Sequence, residues 1–202
     1  MELISNMLFW LSNGMLIPDI IFLLFFFIKA LLMIGGFYGT YIARTKINVK
    51  LNREIGKTGV EEFLDTLPEG NGKSKLLEYL RKIKAAPQDR ALREKLLGDY
   101  EIAADKELGQ SKLLVKIGPM LGLMGTLIPM GPALVGLATG DIGSMAYNMQ
   151  VAFATTVVGI VIGAIGFITL QVKQRWVADD MNILEYVVES LNAVSYTHLR
   201  AH

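Results

Sequence analysis

Among the threonines of two long apolar blocks, two have hydroxyl groups that fall on stripes of small residues and could take part in chemistry. Thr126 is part of KIGPMLGLMGTLIPMGPALVGLA, and Thr156 is part of VAFATTVVGIVIGAIGFITL. At about 1.5 Å per helical residue, they lie roughly 14 and 21 Å from Ile117 and Leu170, where basic flanks meet the two blocks. Two hydroxyls at neighbouring depths could line one ion pathway. A hydroxyl that bonds its own helix backbone is the alternative interpretation.

Small residues form a narrow stripe on each of the same two blocks. In the first block Gly118 and Gly122 precede Thr126 at intervals of four residues. In the second block the stripe consists of Ala152, Thr156, Gly159, Gly163 and Gly166. Small residues on one stripe allow another helix to approach closely. We therefore predict a helix-packing or pore face on each block, with ordinary helix packing as the simpler interpretation.

Two prolines and one lysine also interrupt the apolar blocks. Pro129 and Pro132 lack backbone donors and predict a kink or local unwinding of their helix. Lys29 is the one charge in the first block, and snorkelling or pairing with lipid phosphate is its preferred interpretation. The blocks around the threonines contain no acid. Since a proton relay usually needs an ionisable group at membrane depth, the sequence predicts that another chain supplies it.

The elements that position these residues follow from how the apolar residues are distributed. The chain has 202 residues, of which 52% are hydrophobic. They concentrate in blocks that each reach the roughly 18 to 20 residues needed to cross a bilayer. We predict an all-α polytopic membrane protein with transmembrane helices at 20–43, 117–138 and 151–170. Buried helices of a soluble protein are the alternative.

Basic residues orient the predicted helices. Lysines and arginines flank the ends at 44–53, 112–116 and 173–175, whereas 1–19 and 139–150 contain none. The positive-inside rule then places the N-terminus outside and the C-terminus in the cytoplasm of a plasma or inner membrane. Residues 1–19 are predicted as an outer interfacial segment and 139–150 as an outer loop. The first block lacks a preceding basic region, so we expect a retained helix and not a cleaved signal peptide.

The charged insert at 44–116 predicts a small helical cytosolic domain. Thr58 with Glu61 matches a capping box, 68–72 is a helix breaker, and one apolar face contains Leu76, Leu77, Leu80 and Ile83. The second and third helices are predicted to continue into the cytosol, the third through 171–194, where apolar residues recur at Val177, Met181, Leu184, Val188 and Leu191. Residues 195–202, SYTHLRAH, resemble translated adaptor sequence and are left out of the functional interpretation.

Several classes of function are disfavoured. A net charge of +1 gives no general attraction to nucleic acid. The chain has no cysteine, its predicted spans have no histidine or acid pair, and no phosphate-binding loop is present. We expect neither an enzyme nor a bound metal or cofactor, and we expect an ion gradient to supply the energy.

The segment GPMLGLMGTLIPM followed by AFATTVVGIVIGAI resembles the paired signature of the MotA/TolQ/ExbB proton-channel family. The order of elements is also similar: one helix, an insert, a helix pair and a tail. The resemblance implies a homopentamer whose second and third helices line a pore. It also implies a dimeric single-span partner with an intramembrane aspartate, similar to ExbD, TolR or MotB. Thr126 and Thr156 match the family's pore-lining threonines.

Two functions therefore stay open. The first is an ion-conducting subunit that couples proton or sodium flow to movement of the partner. The second is a passive oligomeric scaffold in the lipid membrane, held together by the same small-residue packing.

Overall fold

The computed structural model describes residues 2–55, 60–65, 67, 74–86 and 89–200. Within these ranges every regular element is a helix, which confirms the predicted all-α class. In chain order the elements are α1 (Glu2–Gly14), α2 (Leu16–Ile55), α3 (Val60–Asp65), α4 (Lys75–Lys84), α5 (Arg90–Thr139) and α6 (Ile142–Arg200).

Three helical stretches in the described part are long and apolar enough to cross a membrane: Phe9–Ile42, Arg90–Thr139 and Ile142–Ala193. Large apolar side chains on α2 remain exposed, among them Phe22, Phe25 and Ile28. Such a surface matches lipid or neighbouring subunits as its surroundings, because large exposed apolar patches are uncommon on soluble monomers. The chain is a multi-pass membrane protein.

The chain divides into two compact units. We call Met1–Gly36 with Gly109–Gln171 the span unit, and Phe37–Leu108 with Val172–His202 the insert unit. Helices α2, α5 and α6 each contribute residues to both.

The span unit is built on α2, α5 and α6. Leu23, Ala30, Leu114 and Ile162 form its buried apolar cluster. The two ends of the α2 contact show its direction, since Asp19 lies beside Gly125 whereas Met33 lies beside Ser111. Helix α2 therefore runs antiparallel to α5.

A tight turn joins α5 to α6. Gly140 adopts a left-handed φ of 76°, Asp141 N donates to Gly136 O at 2.8 Å, and Gly140 N donates to Leu137 O at 3.3 Å. This is the Schellman pattern, which satisfies the last carbonyls of a helix. Asp141 then accepts a hydrogen bond from Ser144 N at 3.0 Å and caps α6. Most of the predicted outer loop 139–150 is consequently helical.

The insert unit has a side-chain core. All four predicted apolar residues of α4 are buried, and so are Leu184, Val188 and Leu191 of α6 in the same cluster. Both predicted apolar faces are thus confirmed, with Val177 and Met181 partly buried against the cluster. The predicted cap at Thr58 and the breaker at 68–72 lie outside the described residues.

Helices α5 and α6 extend well beyond the predicted spans 117–138 and 151–170, and α6 begins within the predicted outer loop and continues past 194. Helix α5 continues through Pro119, Pro129 and Pro132, and Pro129 is fully buried. The kink at the two later prolines stays a prediction. Helix α6 is unbroken from its cap to Arg200.

Candidate functional site

The backbones of α5 and α6 touch along the glycine stripes. A Cβ atom on Gly118 would lie 2.8 Å from both Gly159 O and Gly163 N. A Cβ on Gly159 would lie 2.6 Å from Gly118 O and 2.7 Å from the Gly122 Cα. Real Cβ contacts of this length do not occur, so glycine is what allows these helices to approach.

The remaining residues of both stripes extend the same contact. A Cβ on Gly166 would lie 2.8 Å from the Leu114 Cβ, and one on Gly163 would lie 2.9 Å from the Pro119 Cγ. Ala152 is buried as well. The two predicted stripes therefore lie against each other within one chain, and any role as a pore face stays a prediction.

The two predicted threonines both bond their own helices. Thr126 Oγ1 donates to Leu123 O at 2.7 Å. Thr156 Oγ1 donates to Ala152 O at 3.0 Å and lies 3.4 Å from Gly122 O of α5. Each hydroxyl therefore bonds its own helix backbone, which is the alternative interpretation given above. This bond uses only the hydrogen of the hydroxyl. The oxygen lone pairs remain available as acceptors, and both side chains are half-buried.

The neighbouring Thr155, which the sequence analysis did not select, is buried and faces α5. Its hydroxyl donates to Ala152 O at 2.9 Å and lies 3.0 Å from Val151 O. A Cβ on Gly125 would lie 2.5 Å from the Thr155 Oγ1 and 3.1 Å from Asp19 Oδ2. Three helices thus meet at Gly125, where a carboxyl and a hydroxyl both lie close to this glycine.

Asp19 is the buried acid that the sequence analysis assigned to the outer segment 1–19. Only 2% of it is exposed, and neither carboxyl oxygen has a hydrogen-bond partner among the described residues. Its carboxyl faces Gly125, which lies inside the predicted span 117–138. The second and third spans do lack acids, but the first helix brings one to their interface. That another chain supplies an acid at membrane depth stays a prediction.

A second polar contact lies further along the same helices. The hydroxyls of Ser111 and Thr169 are 3.4 Å apart, and both residues are buried. Thr169 also donates to Ile165 O at 2.8 Å, and Ser111 lies 3.7 Å from the Met33 sulfur. Hydroxyl groups therefore lie at both ends of the glycine contact between α5 and α6, Thr155 at one end and Ser111 with Thr169 at the other.

The insert unit contains a different kind of buried acid. Asp180 is fully buried, accepts a hydrogen bond from Tyr100 Oη at 2.5 Å and forms an ion pair with Arg44. Burial raises the pKa of the Asp180 carboxyl, although its bonds to Tyr100 and Arg44 act in the opposite direction. Burial, followed by the bond to Asp180, also raises the pKa of Tyr100.

Aromatic rings enclose Arg44 in this cluster. Its guanidinium donates to Trp176 O at 3.1 Å and lies 5.2 Å from the centre of the Trp176 ring. Phe37 stacks on that ring at 5.4 Å. The two bonds and the rings fix Asp180 in place, which is typical of a structural ion pair and not of an ion-exchange site.

Comparison with known proteins supports the channel interpretation of the helix pair. A model of the MotA/TolQ/ExbB proton channel family matches residues 72–185, more than half of the chain. A protein of Methanothermobacter thermautotrophicus, named as an ExbB homolog in biopolymer transport, is 27% identical over 150 residues. That match covers 64% of this chain and 53% of the relative, so the chain spans about half the length of the curated relative it matches. No solved structure matches the chain.

Proposed function

The chain belongs to the MotA/TolQ/ExbB proton channel family, and from that membership we propose that it is the pore-forming subunit of an ion-driven membrane complex. Proton flow, or sodium flow, past the subunit moves a single-span partner protein. The family is a channel family and not an enzyme family, so the work is mechanical and no catalytic group is required.

The observation that carries the proposal is the α5–α6 hairpin inside the family match. Glycine contacts bring the two backbones together and fix the register in which Thr156 lies beside Gly122. Thr126 follows one turn later on α5, and both threonines keep free acceptor lone pairs. Two adjacent, half-buried acceptors at membrane depth are suited to a hydrated ion path.

The assembly is proposed as a homopentamer around a dimeric partner whose single span contains an aspartate. The exposed apolar side chains of α2 are consistent with lipid and neighbouring copies as surroundings. The N-terminus is proposed to lie outside and the C-terminus in the cytoplasm, as the basic flanks indicate. A passive scaffold is the alternative, since glycine packing alone would stabilise a ring without conduction.

The test is proton flux into liposomes that contain the subunit together with its single-span partner. Thr126→Val with Thr156→Val keeps the β-branched shape and removes both hydroxyls. We expect an assembled ring with strongly reduced flux. Each single variant should lose less, because one net hydrogen bond is worth about 0.5 to 1.5 kcal/mol.

Thr139→Val is the matched control. Thr139 also donates to its own helix, to Val135 O at 3.0 Å, but it lies at the exposed end of α5. Proton flux through the Thr139→Val complex should stay at the wild-type level. Full flux in the assembled double variant would remove the pore-lining assignment, and a wild-type complex that conducts no ion would favour the scaffold.

A further inference from the structure

We propose that Asp19 is a proton-binding carboxyl that this chain itself contributes to the ion pathway, at the point where α2 meets the α5–α6 hairpin. The proposal rests on the proposed function for its role in ion flow. That Asp19 binds a proton inside the membrane can be tested separately.

The first argument is burial without a partner. Asp19 is 2% exposed, and neither of its oxygens has a hydrogen-bond partner in the described part of the chain. An ionised carboxylate in such a place loses its hydration and gains no compensating donor. A structural acid would have donors around it. This carboxyl is stable there when it carries a proton, and losing the proton is costly.

The second argument is the position of Thr155 close to this carboxyl. Asp19 Oδ2 and Thr155 Oγ1 both lie within 3.1 Å of the point where a Cβ of Gly125 would stand. The Thr155 hydroxyl directs its hydrogen to its own backbone at Ala152 O. Its oxygen keeps the capacity to accept a hydrogen bond, and the nearby Asp19 carboxyl can donate one only when it is protonated.

The third argument is depth. Gly125 lies eight residues from Ile117 and fourteen from Thr139, which is about 12 and 21 Å along α5. The predicted span 117–138 therefore puts the carboxyl within the bilayer, where ionisable groups are rare and usually functional.

Charged groups on the packed elements are distant from this carboxyl. Gly125 of α5 and Thr155 of α6 face it, and neither titrates. Among described side chains, Lys29 is the next charge along α2, about 15 Å away along the helix, and Lys116 lies about 14 Å from Gly125 along α5. No cation among the described side chains is therefore close enough to hold Asp19 ionised.

The exchange itself is a simple protonation. The carboxylate takes a proton from a water molecule or hydronium ion on one side, becomes the neutral acid, and returns the proton to water or to the partner's carboxylate. The Thr155 side chain is not chemically changed. Because the carboxyl is buried, exchange requires α2 to move locally against α5 so that water can reach it.

Labelling with a hydrophobic carbodiimide tests proton binding without any partner. This reagent adds to a protonated carboxyl in the membrane and gives a stable acylurea that mass spectrometry locates. In the wild-type subunit in liposomes, Asp19 should be modified at neutral pH and less at alkaline pH, whereas the exposed Asp141 should not be. Absence of Asp19 modification would overturn the proposal. Protection of Asp19 by sodium at constant pH would overturn the assignment of the proton.

Flux measurements test the role in the pathway. Asp19→Asn keeps the shape and removes the titrating group, and the complex with its partner should assemble but conduct at least tenfold less. Asp141→Asn is the matched control, because asparagine also caps a helix, and its flux should be unchanged. Wild-type flux in assembled Asp19→Asn would overturn the pathway role. If the wild-type complex itself conducts nothing, the proposed function fails, whereas the labelling result still decides proton binding.

Discussion

Each unit of the molecule buries one carboxyl group almost completely, and the surroundings of the two groups differ. In the insert unit, Asp180 is bonded by Tyr100 and paired with Arg44. In the span unit, Asp19 has no such partner among the described residues. A buried acid that has donors contributes to a fixed structure, whereas one without donors is stable there only as the neutral acid. Burial alone does not distinguish a structural acid from a proton-binding one, but the presence or absence of hydrogen-bond donors does.

The two units also pack by different means. The insert unit buries large side chains such as Leu80, Ile83 and Leu184 in one apolar cluster. The span unit brings α5 and α6 together through glycine backbones. In lipid, burying a leucine between helices gives no hydrophobic stabilisation. Close contact between backbones therefore contributes more to helix association there.

The largest effect is expected from removing the partner of the buried acid in the insert unit. Arg44→Ala should destabilise the subunit by about 3 to 5 kcal/mol near neutral pH, because it leaves Asp180 buried without its counter-charge. Thermal unfolding in detergent measures this loss. Adding Asp180→Asn to the variant should recover part of it, and no recovery would show that Arg44 acts mainly through its contact with Trp176.

The same variant should depend on pH. Since burial raises the pKa of Asp180 above that of the unfolded chain, its contribution to stability is greatest at low pH and is lost as pH rises through the folded value. Arg44 lowers the pKa of Asp180, so the substitution of Arg44 lets burial raise this pKa further. Arg44→Ala should therefore lose less stability near about pH 5 than near about pH 8. An equal loss at both values would show that Asp180 does not titrate in this range.

A smaller effect is expected from the glycine contact of the span unit. Gly159→Ala places a methyl group against the backbone of Gly118, and overpacking of this kind costs about 1 to 3 kcal/mol. Gly109→Ala is the matched control on α5, where an added Cβ meets nothing within 4 Å. It should stabilise by about 0.5 to 1 kcal/mol. Equal unfolding midpoints in the two variants would contradict backbone contact between α5 and α6.

Much of the fold could be predicted because it depends on local pattern. Long apolar runs dominate hydropathy, so the all-α membrane class and three spanning helices followed directly. The face of α4 and that of α6 were equally readable from their spacing. The glycine stripes indicated that another helix approaches, but spacing cannot name the partner. That the two stripes face each other needed the register of the hairpin.

Three features were missed for different reasons. The α5–α6 turn carries a readable signal, since Gly140 can adopt the left-handed conformation and Asp141 can cap the next helix. Asp19 could not be placed in this way. Its burial depends on how α2 lies along α5, and local spacing does not show which residue of a neighbouring helix an acid will face. The pairing of Arg44 with Asp180 is likewise too distant in sequence to be read from local pattern.

The smallest effect on stability is expected for Asp19→Asn, and the same substitution at Asp180 provides the sharpest contrast. Asp180→Asn should destabilise by about 1.5 to 3 kcal/mol, because it weakens bonds to a charged acceptor. Asp19→Asn removes no bond, and a protonated carboxyl and an amide are similar in shape and polarity, so its unfolding midpoint should stay close to that of the wild type. The two variants are compared by thermal unfolding in one detergent. A loss at Asp19 as large as that at Asp180 would reveal a structural partner and make the two acids equivalent. Unchanged stability with reduced flux would show that Asp19 is retained for ion movement and not for the fold.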